Sequence, residues 1–274
     1  MLRYRGDLHY LTISGVVEQS QAKAVNLQKK TLEITSISFY KYSKRSEQWW
    51  AFKQMRLAYA ALSNTPGLKY HKQLGSGAAE GFSIWPDWQV YAQLMVWENK
   101  AAFDSFLESN SNHHLNLTKS ERQVHILLQA IQYKGSWNGL QPFQVNKNAS
   151  SESDFMAVIT RASIRPRKML SFWFNVPAVS KHISQQKSLL FAKGIGEWPL
   201  IEQATFSIWN KKEAMQDFAY QQKEHREVVK KTREKDWYKE EMFVRFQVLE
   251  YFGNWQAQPF AKLFSKKAEV VTKD

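Results

Sequence analysis

Two stretches of the chain repeat one another in register, and no other feature narrows the possible folds as far. In the later one, Gly194 to Trp255, the run Gln203 to Trp209 alternates with period two. Thr205, Ser207 and Trp209 fall on one face and Phe206 and Ile208 on the other, which predicts a half-buried strand. Asn210 and Glu213 stand at capping-box spacing and predict a helix start, because each side chain can reach a free N–H of the first turn. The stripe of that helix, Ala214, Met215 and Phe218, continues on the same face to Gln222 and His225. A strand from Met242 to Leu249 follows, with Met242, Val244, Phe246 and Val248 on one side, and a Gly253-Asn254-Trp255 turn ends the unit.

The earlier stretch has the same layout. Val90 to Trp97 repeats the strand, and Asn99 opens a helix whose stripe is Phe103, Phe106, Leu107 and Asn110, carrying on to His113. The step from Trp97 through Phe106 to His113 equals that from Trp209 through Phe218 to His225. Val124, Ile126, Leu128 and Ala130 alternate in their turn, Gly135-Ser136-Trp137 answers Gly253-Asn254-Trp255, and Gly75-Ser76-Gly77 answers Gly194-Ile195-Gly196. Trp50 and Trp173 each follow a strand, Thr35 to Lys41 and Met156 to Ala162, at the head of a helix. Register of this extent marks an internal duplication.

Each half then reads β-α-β-β-α-β, the ferredoxin-like order, which places two helices on one face of a four-stranded antiparallel sheet. The other face must also be covered. Packing the two sheets against each other within one chain does so, giving an α+β fold of tandem ferredoxin-like repeats that forms a dimeric α+β barrel-like structure. The expected layout is a poorly ordered extension over 1–33, a first repeat over 34–145, a polar linker over 146–153, a second, ligand-bearing repeat over 154–256 and a basic tail over 257–274.

The chain has 274 residues, of which 43% are hydrophobic, enough to build a core. It has no cysteine, which excludes disulfides, thiolate metal sites and cysteine nucleophiles, and leaves seven histidines as the good nitrogen ligands. A net charge of +13 favours an anionic partner, either a phosphate backbone or an acidic bilayer surface. Aromatic residues follow core periodicity and no recognition motif accompanies the charge, so no nucleic acid is expected. Residues 1–33 contain no apolar run long enough for a signal-peptide core or a membrane span.

Three features could carry chemistry. His225 continues a buried stripe, where a neutral imidazole could ligate iron; the alternative is a hydrogen-bonded boundary residue beside Glu224 and Arg226, and His113 holds the same place in the first half. The run Thr160-Arg161-Ala162-Ser163-Ile164-Arg165-Pro166-Arg167-Lys168 joins a strand to a helix, and its cations suit carboxylates or phosphate, or a plain solvated surface. The glycine turns at Gly75 to Gly81 and Gly194 to Pro199 lack the strand-to-helix context of a dinucleotide site and read as hairpin loops, with Glu80 and Glu197 as candidate acids or bases or as solvated carboxylates.

The segments Gly75 to Phe82, Thr160 to Lys168, Phe172-Trp173, Val176-Pro177, Gly194 to Glu197, Pro199-Leu200 and Thr205 to Trp209, with Trp237, Glu240-Glu241, Arg245-Phe246 and Trp255, resemble spheroidene monooxygenase, the carotenoid C-2 ketolase of purple phototrophs. The resemblance covers about Ile34 to Trp255. It implies a haem-dependent enzyme that uses molecular oxygen to place a keto group on an acyclic carotenoid or similar long apolar substrate, with an electron donor or peroxide as partner. More distantly, the strand, helix and histidine order is similar to haem-degrading monooxygenases and aldoxime dehydratases. On that resemblance His225 is expected on the iron of haem b, Trp209 and Phe218 against the cofactor, Arg165, Arg167 and Lys168 at its propionates, and Arg165 and Glu197 in catalysis. Trp173 and Trp198 are expected at the mouth of an open cleft. The expected location is cytoplasmic, peripheral to the inner membrane surface. A cofactor-free monooxygenase, a haem dehydratase and a non-catalytic ligand-binding module remain the alternatives at this point.

Overall fold

The structure, a computed structural model, describes residues 32–78, 85–149, 155–175, 186, 188–198, 200–210 and 234–265. The first half forms β1 (Ile34–Lys41), α1 (Arg45–Leu62), β2 (Leu68–Gly77), β3 (Pro86–Trp97), α2 (Lys100–Ser109), α3 (Ser111–Lys119) and β4 (Arg122–Gly135). The second forms β5 (Met156–Ile164), a 3-10 turn (Pro166–Lys168), α4 (Met169–Asn175), β6 (Leu189–Trp198), β7 (Glu202–Trp209) and β8 (Tyr238–Gly253). Pro166 opens its turn at the position where a missing N–H costs nothing.

Within each half the strands run in ferredoxin-like order, β4-β1-β3-β2 and β8-β5-β7-β6, and every pairing is antiparallel. The halves join edge to edge, β2 to β6 and β4 to β8, so the expected barrel closes by strand pairing and no sheet edge stays open. The alternating faces predicted from sequence point inward: Ile37, Phe39, Leu94, Ile126, Ile159, Phe206, Val244 and Phe246 share one buried cluster. Residues beyond Trp255 return to it, with Phe260 stacked on Phe191 at a centroid distance of 4.2 Å and the Tyr251 hydroxyl donating to the Leu263 carbonyl.

The two seams differ. Along β4 and β8 the pairing runs from Val124–Gly253 to Gly135–Met242. The repeated glycine-x-tryptophan turns are the two ends of this seam. Gly135 has φ 91° and Gly253 φ 138°, and a Cβ would come within 2.1 Å of the Glu241 carbonyl oxygen at the first and 2.3 Å of the Gln123 carbonyl oxygen at the second, so only glycine fits. Between β2 and β6 only Gly75–Gly196 and Ser76–Ile195 pair.

Two local expectations change. Gly75, Gly77, Gly194 and Gly196 lie inside β2 and β6 and not in hairpin loops, and their correspondence shifts. Gly75 pairs with Tyr91 on β3, and Gly196 with Gln203 at the matching place on β7, so Gly75 is equivalent to Gly196 while Gly194 is equivalent to Gln73. The bulges fall at matching places in the two strands, after Leu68 and Gly75 and after Leu189 and Gly196, so the mismatch lies in aligning Gly75-Ser76-Gly77 on Gly194-Ile195-Gly196 by their glycine pattern alone. The helix after Asn99 is also interrupted. Asn99 caps α2 through the Ala102 N–H, as predicted, but Asn110 adopts extended backbone and caps α3 by accepting from the N–H groups of Asn112 and His113. The break still brings His113 against Phe106, with ring centroids 5.4 Å apart.

Candidate functional site

The duplication makes one half a reference for the other. Trp97 on β3 pairs with Ile34, and Trp209 on β7 pairs with Met156, so the outward faces of the two sheets can be matched position by position.

On the first half that face is filled. Ser38 Oγ lies 2.8 Å from His125 Nδ1, Tyr40 Oη 3.5 Å from His113 Nδ1, and the Tyr42 hydroxyl donates to Asn116 Oδ1 at 2.6 Å. Gln93 Nε2 donates to Gln73 Oε1 and Asn112 Oδ1, and the Trp97 indole donates to Ser36 Oγ. Burial, with His114 nearby, lowers the His113 imidazole to about 4, and burial, with His113 nearby, lowers His125 to about 3, so both rings are neutral at neutral pH. What remains among Tyr40, Tyr42, Gln73, Tyr91, Gln93 and Asn116 is a cavity of 10 Å³, room for one water and far too small for a macrocycle.

On the second half several positions of this face carry smaller side chains, while Ser36 and Ser38 are matched by the larger Val158 and Thr160. Tyr40 is matched by Ala162, His71 by Ala192, Gln73 by Gly194, Gln93 by Thr205 and Met95 by Ser207. His125 is matched by Phe243 and Leu127 by Arg245. Val158, Leu189, Ala192 and Trp209 form an apolar floor here, with Phe243 packed against it. The Trp209 indole donates to Ser207 Oγ at 3.0 Å. Arg245 is buried on this face, its guanidinium 5.8 Å from the Phe243 ring centroid and its Nε without a hydrogen-bond partner. A flat, largely apolar group that carries a carboxylate fits such a surface, because the floor offers shape and the cation has no anion among the described residues. Arg245 went unnoticed among the sequence candidates, although its place opposite Leu127 in the repeat was the available signal.

The structure separates the other candidates. Arg165, Arg167 and Lys168 are exposed on the 3-10 turn at the end of β5, and Arg165 Nε pairs with Asp236 at 3.1 Å. Arg161, from the same run, points into the barrel. There its Nη atoms donate to Glu240 (2.6 Å), Asn138 (2.7 Å) and Glu202, and its guanidinium covers the Trp137 ring at 5.2 Å. Glu197 is also on the inner side, held by Lys72 and by the Trp137 indole at 3.0 Å. Trp173 is buried with Ile164, Phe172 and Trp237 and donates to the Leu200 carbonyl, whereas Trp198 is exposed. His225, Phe218, Glu213 and Glu80 lie outside the described residues. Among the described residues no group of three or more His, Asp or Glu is placed to hold a metal ion, and no helix is long and apolar enough to cross a membrane.

The single-chain α+β barrel has counterparts among solved structures. An aldoxime dehydratase superposes with a TM-score of 0.55 at 11% identity, covering 83% of this chain and 86% of that one. A second, crystallised with butyraldoxime, gives 0.54 at 8% identity. These likenesses define the fold. No family profile matches the sequence. The spheroidene monooxygenase of Rhodobacter capsulatus is 33% identical over 228 residues, 83% of this chain and 95% of the relative. That of Cereibacter sphaeroides is 30% identical over 228 residues, covering 70% of the relative, and that of Rubrivivax gelatinosus 32% over 197. The chain belongs to the spheroidene monooxygenase family, and with it to the oxidoreductases.

Proposed function

We propose that this chain is a haem-dependent monooxygenase that oxygenates an acyclic carotenoid, or a similar long apolar substrate, on the outward face of its second repeat. The observation that carries the reading is the replacement of Tyr40, His71, Gln73, Gln93 and Met95 by Ala162, Ala192, Gly194, Thr205 and Ser207 at matching positions. Family membership supports the monooxygenase class, and the names of the relatives support the carotenoid.

Val158, Ala192 and Trp209 would form the floor that holds haem b, with His225 and Phe218 as the further residues that would bind it. Bound there, haem would supply the activation of molecular oxygen, with two electrons from a donor protein, or of peroxide, which carries oxygen already reduced by two electrons. Arg245 would hold a carboxylate of the group at depth, while Arg165, Arg167 and Lys168, seven or more residues along from Val158, would lie more than about 20 Å away, beyond reach of the same group. The small side chains leave width for the terminal segment of a polyene, while the apolar floor keeps water from the reacting carbon. Glu197, tied to Lys72 on the inner side, serves the β2–β6 seam in this reading. A substrate dissolved in a bilayer and a charge of +13 favour work at an anionic membrane surface on the cytoplasmic side.

The test is a spectrum and a product. The protein purified from a haem-supplied host should show a Soret band that His225→Ala loses and His113→Ala keeps, and expression with acyclic carotenoids should yield products of higher mass and red-shifted absorption. A protein that stays colourless and refuses added haemin would overturn the haem reading. Unchanged pigments from a haem-loaded protein would overturn the substrate.

A further inference from the structure

The solvent side of α1 is not built for water. An amphipathic helix presents charged and polar residues outward, yet the exposed stripe of α1 mixes cations with large apolar groups: Arg45, Trp49, Phe52, Lys53, Arg56 and Leu57. Trp49 is 61% exposed, Phe52 43% and Leu57 59%. The buried positions Ala51, Ala58 and Leu62 lie on the opposite side. The aromatic residues form an ordered cluster that extends beyond the helix. Trp49 stacks on Phe52 at 5.5 Å with an interplanar angle of 22°, and Phe52 meets Trp88, at the start of β3, edge-on at 5.8 Å. Trp88 is 55% exposed. Arg45, Lys53 and Arg56 make no ion pair among the described residues, so their charge is presented outward with the rings.

We infer that this face, Trp49, Phe52 and Trp88 ringed by Arg45, Lys53 and Arg56, docks the protein on an anionic lipid surface. Tryptophan and phenylalanine with interleaved cations match the headgroup boundary, where rings enter the acyl margin and cations meet lipid phosphates. The charge sign selects the partner, since a second copy of this chain would bring the same three cations against these. The matching helix α4 lacks the arrangement: its exposed Leu170 and Phe174 have no ring partner among the described residues. The inference rests on the proposed function only in supposing that the substrate is dissolved in a membrane, and docking can be measured without it.

The experiment is co-sedimentation of the full-length protein with phosphatidylcholine vesicles containing about a third phosphatidylglycerol, and with phosphatidylcholine alone. Wild type should bind the anionic vesicles, be released by added salt, and bind the neutral ones weakly. The double variant Trp49→Glu/Phe52→Glu should lose on the order of tenfold or more in partitioning, with far-ultraviolet circular dichroism and melting temperature unchanged, because both rings are already in water. Lys53→Glu/Arg56→Glu should bind weakly and lose the salt dependence. Undiminished binding by either variant would overturn the inference, as would no binding by wild type. A wild-type dimer in light scattering that separates in Trp49→Glu/Phe52→Glu would show that a second copy covers the face, and would overturn it too. Retained turnover of detergent-dispersed carotenoid, with turnover on vesicles lost, would support it. Vesicle binding by a protein that oxygenates no carotenoid would leave the docking face standing and remove only the substrate assignment.

Discussion

Replacing Arg161 by methionine should be the most destabilising single change at the barrel end, and its cost should depend on pH in a defined direction. The side chain is 1% exposed and bridges Glu202 and Glu240, which are 19% and 18% exposed. Methionine keeps much of the packing on Trp137 but leaves two carboxylates facing each other without a counter-ion. Removing one partner of a buried pair costs about 3–5 kcal/mol, and partial solvent contact of the carboxylates places this case near 3 kcal/mol. For a chain of this size that corresponds to a fall of roughly 6–12 °C in melting temperature. Burial alone would raise the Glu240 carboxyl, but hydrogen bonds from Ser136 Oγ, the Gly139 N–H, Arg161 and the Asn138 N–H outweigh it and bring it to about 2. A carboxyl held below its usual value stabilises the fold above the unfolded value of 4.5, and that contribution is lost as pH falls toward 2. In Arg161→Met the carboxyl loses a donor and feels Glu202, so it takes up its proton in milder acid and the repulsion is relieved. The difference in unfolding free energy between wild type and variant should therefore be largest at pH 5 and above and shrink below about pH 4. Urea denaturation followed by circular dichroism at pH 7, 5, 4 and 3 measures it. A difference below about 1 kcal/mol at pH 7, or one that is the same at pH 7 and pH 3, would refute the reasoning.

The double variant Thr205→Gln/Ser207→Met, which gives the second sheet the side chains of Gln93 and Met95, should abolish haem retention and product formation while melting within a few degrees of wild type; normal turnover would place the site elsewhere. Arg245→Leu, the residue found at Leu127, should weaken haem retention without loss of stability, since it removes a buried cation whose Nε has no partner; a titration with haemin compares the two. His125→Phe with Ser38→Ala should flatten the acid limb of stability. A neutral buried imidazole near 3 takes up its proton only on unfolding, so wild type loses stability as pH falls from 6.5 toward 3 and this variant should lose less, read from melting curves at pH 7 and 5.

The repeat was legible because its markers are local: period-two strands ending in Trp97 and Trp209, a cap at Asn99, and glycine turns at Gly135 and Gly253. What sequence spacing could not carry is long-range. The two glycine-x-glycine motifs sit two residues apart in the repeat, so equivalence had to be read from cross-strand partners. The break at Asn110 was hidden because its polar side chain fits both a helix face and a cap. Arg161 and Arg165 look alike in a run of cations, and strand alternation alone would put both on one face; β5 ends at Ile164, so Arg161 points inward while Arg165, at the head of the 3-10 turn, is left in water.

The unequal seams give the barrel a hinge side and an opening side. β4 and β8 are stitched along their length, whereas β2 and β6 meet at Gly75–Gly196 and Ser76–Ile195 and are held beyond those pairs by the side-chain bridges Lys72–Glu197 and Lys193–Asp87. Thermal excursions of the closed cylinder will concentrate where the fewest main-chain bonds have to break, so the amides of Ser76 and Ile195 should exchange with solvent well before those of Ile126 and Val244. Each such excursion parts the two halves as a book parts at its fore-edge, with β4 and β8 as the spine, and briefly admits water to the aromatic interior around Phe191 and Phe206.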